Sequence, residues 1–169
     1  MAEIRELMQL TSDQIERLAD VLIAVVADGA SVGFLPPVPR EEATGYWRDT
    51  IGPGVVLLVA EHDGRIVGTV QLQLAMRANG RHRAEVAKLI VDASARRRGI
   101  GRQLIEAVEP IARREGRTLL VLDTREGDPS NALYVSMGYQ EAGRIPRYAR
   151  SASGSLDETV FYFKELAAN

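Results

Sequence analysis

The 169-residue chain contains no cysteine. This absence excludes disulfide bonds, zinc or iron–sulfur sites with cysteine ligands, and a cysteine nucleophile. Only two histidines are present, His62 and His82. They lack the helical or strand-neighbour spacing of a histidine metal pair, so we expect no bound metal.

Neither sign of charge dominates the chain. It has 21 lysines and arginines against 23 aspartates and glutamates, a net charge of -2, so we expect no general affinity for nucleic acid. No apolar run reaches the roughly 20 residues that a membrane-spanning helix needs. Residues 1–10 mix charged and apolar side chains and do not resemble a signal peptide. These absences favour a cytoplasmic protein without a nucleic-acid or membrane partner.

Apolar residues make up 46% of the chain, enough to bury a core in one globular domain over residues 1–169. After a short strand at 4–10, Thr11 and Gln14 have the spacing of a capping box. They begin an amphipathic helix that we expect to end near Asp28 and Gly29, with the glycine as its C-cap. Further helices are predicted at 41–51, 99–115 and 130–136, although Pro110 should kink or end the helix at 99–115.

The rest of the chain is rich in β-formers. Strands are predicted at 55–61, 66–74, 84–91, 118–122, 139–148 and 159–166. The first three should form an antiparallel meander, because Asp63-Gly64 and Asn79-Gly80 mark turns between them. The continuous apolar run at 118–122 is typical of a buried strand beside a parallel neighbour. The order β-α-α-β-β-β-α-β-α-β-β predicts an α/β fold with a mixed sheet.

The segment from Leu89 to Arg102 carries the clearest chemical signal. A strand ends there, three consecutive arginines follow, and a helix begins at Gly99 and Gly101. Glycines let backbone N–H groups approach a ligand closely, and the unpaired N–H groups of a helix N-terminus favour phosphate. Arginines add charge-assisted hydrogen bonds. The pattern indicates a pyrophosphate site; the alternative is a solvated basic loop. It is neither a P-loop nor a dinucleotide fingerprint.

This segment resembles a signature of the GNAT superfamily of N-acetyltransferases. Arg96, Gly99 and Gly101 fit its pattern [RQ]-x-x-G-x-[GA], and Ala93 stands where that superfamily often has proline. Residues 133–139, with the sequence LYVSMGY, resemble its second signature. The resemblance implies a mixed, mostly antiparallel sheet flanked by helices, with a splayed central strand pair. Within the superfamily, stretches such as 29–34, 95–104 and 146–148 resemble the tabtoxin-resistance acetyltransferases, which N-acetylate a β-lactam toxin.

The resemblance implies direct transfer of an acetyl group from acetyl-coenzyme A (acetyl-CoA) to an amine, which agrees with the absence of a cysteine nucleophile. A strand N–H would polarise the acetyl carbonyl. The residues it places against the cofactor are Leu89, Ile90, Val91, Arg96, Arg97, Arg98, Gly99, Ile100, Gly101, Arg102 and Asn131.

Three residues are candidates for catalysis. The attacking amine must lose a proton, and the resemblance points to Glu85 and Asp123 as the acidic residues at the site. Either carboxylate can instead be a solvated or capping residue of its strand. Tyr134 matches the superfamily's tyrosine that protonates the leaving thiolate, and the alternative is a core position on its helix.

The acceptor is less defined by the sequence. Phe34, Trp47 and Tyr148 are candidates for substrate contacts, with core packing as the alternative. We expect a small-molecule amine, such as a toxin or antibiotic, and a monomer or homodimer. Two other functions stay open: acetylation of a protein lysine or N-terminal amine, and a non-catalytic coenzyme A-binding module.

Overall fold

A computed structural model describes residues 1–167 of the chain. Strands and helices follow one another in the order that the sequence predicts. They are β1 (Glu3–Leu7), α1 (Ser12–Ala27), α2 (Arg40–Arg48), β2 (Val55–His62), β3 (Arg65–Leu74), β4 (Arg83–Val91), α3 (Ile100–Arg114), β5 (Leu119–Arg125), α4 (Ser130–Ser136), β6 (Gln140–Arg150) and β7 (Leu156–Glu165). Two short 3-10 turns, Ala78–Gly80 and Ala93–Ala95, flank β4.

The strands form one sheet in the order β1-β2-β3-β4-β5-β7-β6. The antiparallel meander of β2, β3 and β4 is confirmed. The single parallel pair among the described strands joins β4 to β5, as the apolar run of β5 indicated. The fold is therefore an α/β fold with a mixed, mostly antiparallel sheet. No helix within residues 1–167 is both long and apolar enough to cross a membrane.

Helices cover both faces of the sheet, and each face has its own buried core. On one face, α3 packs Leu104, Ile105 and Val108 against the central strands. On the other, α1 and α2 share a core with Leu57 and Val59 of β2, Ile66 of β3 and Ile90 of β4. Because successive strand residues point to opposite faces, β2 buries Leu57 in one core and Leu58 in the other.

The capping box at the start of α1 is confirmed. The N–H of Gln14 donates to the Thr11 hydroxyl at 3.2 Å, and the Thr11 N–H donates to the Gln14 side chain at 2.9 Å. Asp28 caps the C-terminus, and Gly29 follows with a φ of 94°. This positive φ favours glycine and turns the chain into the loop before α2.

Pro110 does not end α3, so of the two outcomes expected there the helix end is wrong, and a kink stays a prediction. The helix continues to Arg114 with Pro110 inside it. Pro110 and Glu106, whose carbonyl loses its intrahelical partner, both lie on the exposed face. Water can therefore satisfy that carbonyl, while Val108 and Ala112 keep the helix anchored in the core.

Candidate active site

The central strands β4 and β5 separate after a short paired segment. Their register runs only from Arg83 opposite Leu119 to Glu85 opposite Val121. The expected splay of the central strand pair is therefore present. Beyond Glu85, the edge of β4 that faces β5 has no registered strand partner within residues 1–167. An extended chain of another molecule can pair with that edge.

A bulge in β4 lies directly after the split. Gln71 of β3 lies opposite Ala87, but Thr69, two residues earlier, lies opposite Ile90, so β4 contains one extra residue. Lys88 lies within the bulge, and its backbone has a positive φ of 54°. A one-residue insertion reverses which face each later side chain points to. Accordingly, Val86 is buried in the α3 core, whereas Ile90 is buried in the α1 core.

The split opens a cavity of about 320 Å³. Its walls come from both separated strands, the loop after α1, helix α4 and the last two strands. The lining residues are Ala30, Ser31, Val32, Gly33, Glu85, Val86, Ala87, Lys88, Leu89, Asp123, Thr124, Arg125, Asp128, Ser130, Tyr134, Tyr148, Ala149 and Thr159. The cavity thus brings together the three candidate catalytic residues, which are far apart in the sequence.

The carboxyl groups of Glu85 and Asp123 enter the cavity from the two separated strands. Both keep contact with solvent through its open mouth. Partial burial raises the pKa of Glu85, repulsion from Asp123 raises it further, and Lys88 opposes these effects. Partial burial also raises the pKa of Asp123, and Lys88 again opposes it. Each shift moves a carboxyl group towards the range in which it exchanges protons near neutral pH.

Tyr134 of α4 lies against the cavity with only 5% of its surface exposed. Its ring packs edge-on against Tyr139 at a centroid distance of 5.7 Å. The Tyr134 hydroxyl has no hydrogen-bond partner within residues 1–167. Burial, reinforced by the charge of Asp123, raises the pKa of Tyr134. A phenol with its ordinary pKa of about 10 is already protonated at physiological pH, and burial makes Tyr134 a weaker acid than an exposed tyrosine.

The start of α3 has the features of an anion site. Gly99 precedes the helix with a φ of 75°, a conformation that favours glycine. The first helical hydrogen bond runs from the N–H of Gln103 to the Gly99 carbonyl. The N–H groups of Ile100, Gly101 and Arg102 thus lack an acceptor in the preceding turn, as at any helix N-terminus. They are free to bind phosphate oxygens.

Comparison with known proteins identifies the family. The profile of the acetyltransferase (GNAT) family matches residues 13–139. The chain belongs to this family. An uncharacterised N-acetyltransferase of Azospirillum brasilense is 34% identical over 120 residues, 69% of this chain and 71% of that protein.

Solved GNAT structures share the fold. A ribosomal-protein-alanine N-acetyltransferase from Brucella melitensis superposes with a TM-score of 0.80 at 24% identity, over 97% of this chain and 99% of that one. An acetyltransferase from Salmonella typhimurium, solved with its cofactor acetyl-CoA, superposes with a TM-score of 0.81 at 18% identity, over 100% of this chain and 96% of that one. This GNAT chain is accordingly an acetyl-CoA-dependent N-acetyltransferase.

The residues at the split fit acetyl-CoA. The open edge of β4 suits an extended pantetheine arm, and it leads from the cavity towards the free N–H groups of α3. Leu89 lines the cavity, whereas Ile90 and Ile100 are buried in the cores. Val91 is partly buried against the α3 core. Ile90 and Ile100 can therefore contact a cofactor through their backbone groups but not through their side chains.

The arginines of this GNAT loop differ in their surroundings. Arg96 is paired with Asp28 at 2.6 Å, which ties the loop to the end of α1. Arg102 donates to the hydroxyl of Ser136 at 2.7 Å. Arg97 and Arg98 are exposed, and neither forms an ion pair within residues 1–167. They are the arginines with guanidinium groups free to bind phosphate.

Asn131 has a structural environment in this GNAT chain. Its amide nitrogen donates to the carbonyls of Arg125 at 2.8 Å and Asp128 at 2.9 Å, and its oxygen accepts from the Tyr162 hydroxyl at 2.8 Å. These bonds fix the loop between β5 and α4. A contact between Asn131 and the cofactor stays a prediction.

The three candidate acceptor contacts fall in two places. Tyr148 lines the cavity and packs edge-on against Phe161 at 5.5 Å. Trp47 is 1% exposed and belongs to the α1 core. Phe34 packs on the same core and against Tyr46 at 5.2 Å. The structure thus brings only Tyr148 to the cavity wall.

Lys88 and Arg125 are the two cationic residues of the cavity that sequence reasoning missed. The Lys88 side chain is partly buried and lines the same wall as Glu85. Strict alternation along β4 would place Lys88 on the face of Val86. The bulge that changes its direction has no glycine or proline to mark it in the sequence. The only sign of the bulge in the sequence is that Lys88 interrupts an otherwise apolar run at 86–91.

Proposed function

We propose that this GNAT enzyme acetylates the amine of a small molecule, with Glu85 as the general base and Tyr134 as the general acid. The observation that carries the proposal is the convergence of Glu85, Asp123 and Tyr134 on one cavity at the split between β4 and β5. A volume of about 320 Å³ is at the small end of ligand pockets. It suits an acceptor of amino-acid size.

Acetyl-CoA supplies the acetyl group as a thioester when it is bound. Glu85 accepts a proton from the acceptor's ammonium group, which frees the nitrogen lone pair for attack. The new nitrogen–carbon bond replaces the carbon–sulfur bond. Tyr134 donates a proton to the departing sulfur, and the nitrogen of the new amide gives its second proton to the Tyr134 phenolate, which restores the phenol.

We assign Asp123 to binding the acceptor's ammonium group. It follows the buried run of β5 and faces Glu85 across the gap. Partial burial and repulsion from Asp123 raise the pKa of Glu85, which suits it to accept a proton. Asp123 then supplies charge that holds the cation in place.

At the other end of the site, we propose that Arg97, Arg98 and the N–H groups of Ile100, Gly101 and Arg102 bind the pyrophosphate of acetyl-CoA. The support is the local combination of free positive charge and free backbone donors. The roles of Arg96 and Asn131 in cofactor binding are secondary, because both side chains already have protein partners.

The alternative acceptor is the N-terminal amine of a protein. One of the matched structures is a ribosomal-protein-alanine N-acetyltransferase, which keeps this alternative open. The loop at 30–33 and Tyr148 border the cavity on either side and favour a small acceptor over a peptide chain. The resemblance to tabtoxin-resistance acetyltransferases supports an antimicrobial amine as one such acceptor.

The test is acetyl-CoA-dependent release of coenzyme A thiol with a panel of amino acids, small amines, antibiotics and peptides with alanine at the N-terminus. We expect turnover with small amines and acetylated amine in the product. Glu85→Gln is the matched control, because it keeps the shape of the side chain and removes the base. Turnover restricted to peptides would contradict the small-molecule acceptor.

A further inference from the structure

The acceptor cavity carries a positive charge beside its two carboxylates. Lys88 lines its wall, and the Lys88 Nζ atom lies 6.0 Å from the ring centroid of Tyr46. No carboxylate oxygen within residues 1–167 lies within the 4.0 Å of an ion pair from this atom. Lys88 is thus a cation placed in the site without a contacting anion.

The other cation of the cavity differs in this respect. The guanidinium of Arg125 contacts Asp128 at 2.9 Å and donates to the carbonyl of Gly29 at 2.9 Å. Its charge is therefore neutralised, and its donors hold the loop after α1. Lys88 has neither kind of bond, which leaves it available to a ligand.

The surroundings of Lys88 fix its position. The bulge in β4 directs it into the cavity, and the loop at 30–33 closes around its end. Gly33 has a φ of 90°, and a Cβ atom added there would lie 3.1 Å from Nζ. The positive φ favours glycine at this point, and the short distance shows that the loop lies close to the ammonium group of Lys88.

The positions of the charges, rather than their sum, favour a ligand with two charges of its own. Glu85, Asp123 and Lys88 sum to −1, which one ammonium group would neutralise, but Lys88 would still have no contacting anion. Partial burial lowers the pKa of Lys88, while the fields of Glu85 and Asp123 oppose that effect. An acceptor with an amine alone would satisfy the carboxylates but bring a second cation near Lys88. An acceptor that also has a carboxylate would satisfy both sides.

We propose that the acceptor is an amine that also carries a carboxylate, as amino acids do, and that Lys88 binds this carboxylate. The inference rests on the proposed function and names the substrate class of the same cavity. In this arrangement the ammonium group lies towards Glu85 and Asp123. The carboxylate contacts the ammonium group of Lys88 through a charge-assisted hydrogen bond.

The test compares amino acids with the amines that remain when the carboxylate is removed: histidine with histamine, tyrosine with tyramine, and lysine with 1,5-diaminopentane. For the pair that is turned over best, we expect the enzyme to prefer the amino acid by roughly tenfold or more in kcat/KM, the effect of one charged hydrogen bond. The preference should lie mainly in KM. In Lys88→Met, the ratio of kcat/KM for the amino acid to kcat/KM for the amine should fall to about 1. In Lys88→Arg, most of the preference for the amino acid should remain.

Three results would overturn the inference. The first is an enzyme without preference for the amino acid, and the second is a Lys88→Met enzyme that keeps the full preference. The third is a Lys88→Met enzyme in which kcat/KM falls equally for the amino acid and for the amine. That result would mean that Lys88 contacts the cofactor or the carboxylates of the site and not the acceptor. Acetyl-CoA affinity, measured by calorimetry, checks that Lys88→Met is folded. Acetylation of peptides with no small amine accepted would instead refute the proposed function, and the inference with it.

Discussion

Glu85 lies opposite Val121 in the last registered pair between the two central strands, and beyond this pair the strands separate. Glu85 also lies opposite Gln73 of β3, so its backbone is paired on both sides while its side chain reaches the cavity that the separation opens. A group that must accept a proton at a defined position benefits from this placement, because the paired segment fixes its backbone.

The positive loop before α3 gives the first prediction. Changing both Arg97 and Arg98 to glutamine should weaken acetyl-CoA binding by roughly tenfold, because two guanidinium groups free to bind phosphate are lost. Calorimetry at two salt concentrations measures the affinity and its salt dependence. Arg65→Gln, at an exposed position in the β2–β3 hairpin, is the matched control. Equal acetyl-CoA affinity in the double variant and the control would mean that Arg97 and Arg98 are solvated and do not bind the cofactor.

Tyr134→Phe tests the proton donor. The ring and its packing against Tyr139 are kept, and only the hydroxyl is lost. We expect kcat to fall by roughly 10²-fold or more, as for other general acids, with acetyl-CoA affinity nearly unchanged. Tyr139→Phe, which removes the hydroxyl of the neighbouring tyrosine without breaking a hydrogen bond within residues 1–167, is the comparison. Full turnover in Tyr134→Phe would mean that Tyr134 serves only in packing.

Asp123→Asn separates binding from chemistry. Because Asp123 is assigned to the acceptor's ammonium group, its loss should raise KM for the amine more than it lowers kcat. Steady-state kinetics with the best acceptor measures both constants. A fall in kcat with unchanged KM would transfer the role of base from Glu85 to Asp123.

The Arg17–Asp92 ion pair gives a prediction for stability. Arg17 of α1 donates to the Asp92 carboxylate at 2.5 Å and to the Ile66 carbonyl at 2.7 Å. Burial alone would raise the pKa of Asp92, but hydrogen bonds from Ser94 and the Arg17 charge outweigh it and lower that pKa to about 2. A lowered pKa means that the ionised carboxylate stabilises the folded state above its unfolded pKa of about 4.

At pH 7, Asp92→Asn should therefore reduce the free energy of unfolding by about 1–3 kcal/mol. The difference from the unsubstituted chain should shrink as pH falls from about 4 towards 2, because Asp92 then loses its charge. Urea denaturation as a function of pH measures both effects. Asp63→Asn is the control, since the Asp63 side chain is 92% exposed. If the difference in the free energy of unfolding stays constant down to pH 2, the substitution acts through packing and not through the charge of Asp92.

The sequence predicted most of the fold because its local signals agree with the tertiary structure. The capping box at Thr11 begins α1, and Asp63-Gly64 turns the β2–β3 hairpin as expected. Of the kink or end expected at Pro110, the end does not occur, because the cost of a proline depends on exposure. The lost hydrogen bond leaves a carbonyl on the exposed face of α3, and the sequence alone does not say which face that is.

The candidate site was only partly predictable, for a related reason. Glu85, Asp123 and Tyr134 occupy positions that the family resemblance indicates, and their strands and helix were predicted. The place of Lys88 depends on a bulge, which is a property of the register between β3 and β4. The ion pair of Arg96 joins residues far apart in the sequence. Contacts of this kind follow from the folded chain and leave no local pattern.

The most direct test of the central proposal is the pH dependence of kcat/KM for Glu85→Gln. In the unsubstituted enzyme, the acidic limb should lie above the usual range of a glutamate, because the pKa of Glu85 is raised and activity falls as the base is protonated. Glu85→Gln should lose roughly 10²–10⁴-fold in kcat and lose that limb. A Glu85→Gln enzyme with the unsubstituted rate and an unchanged acidic limb would contradict the assignment of Glu85 as the base.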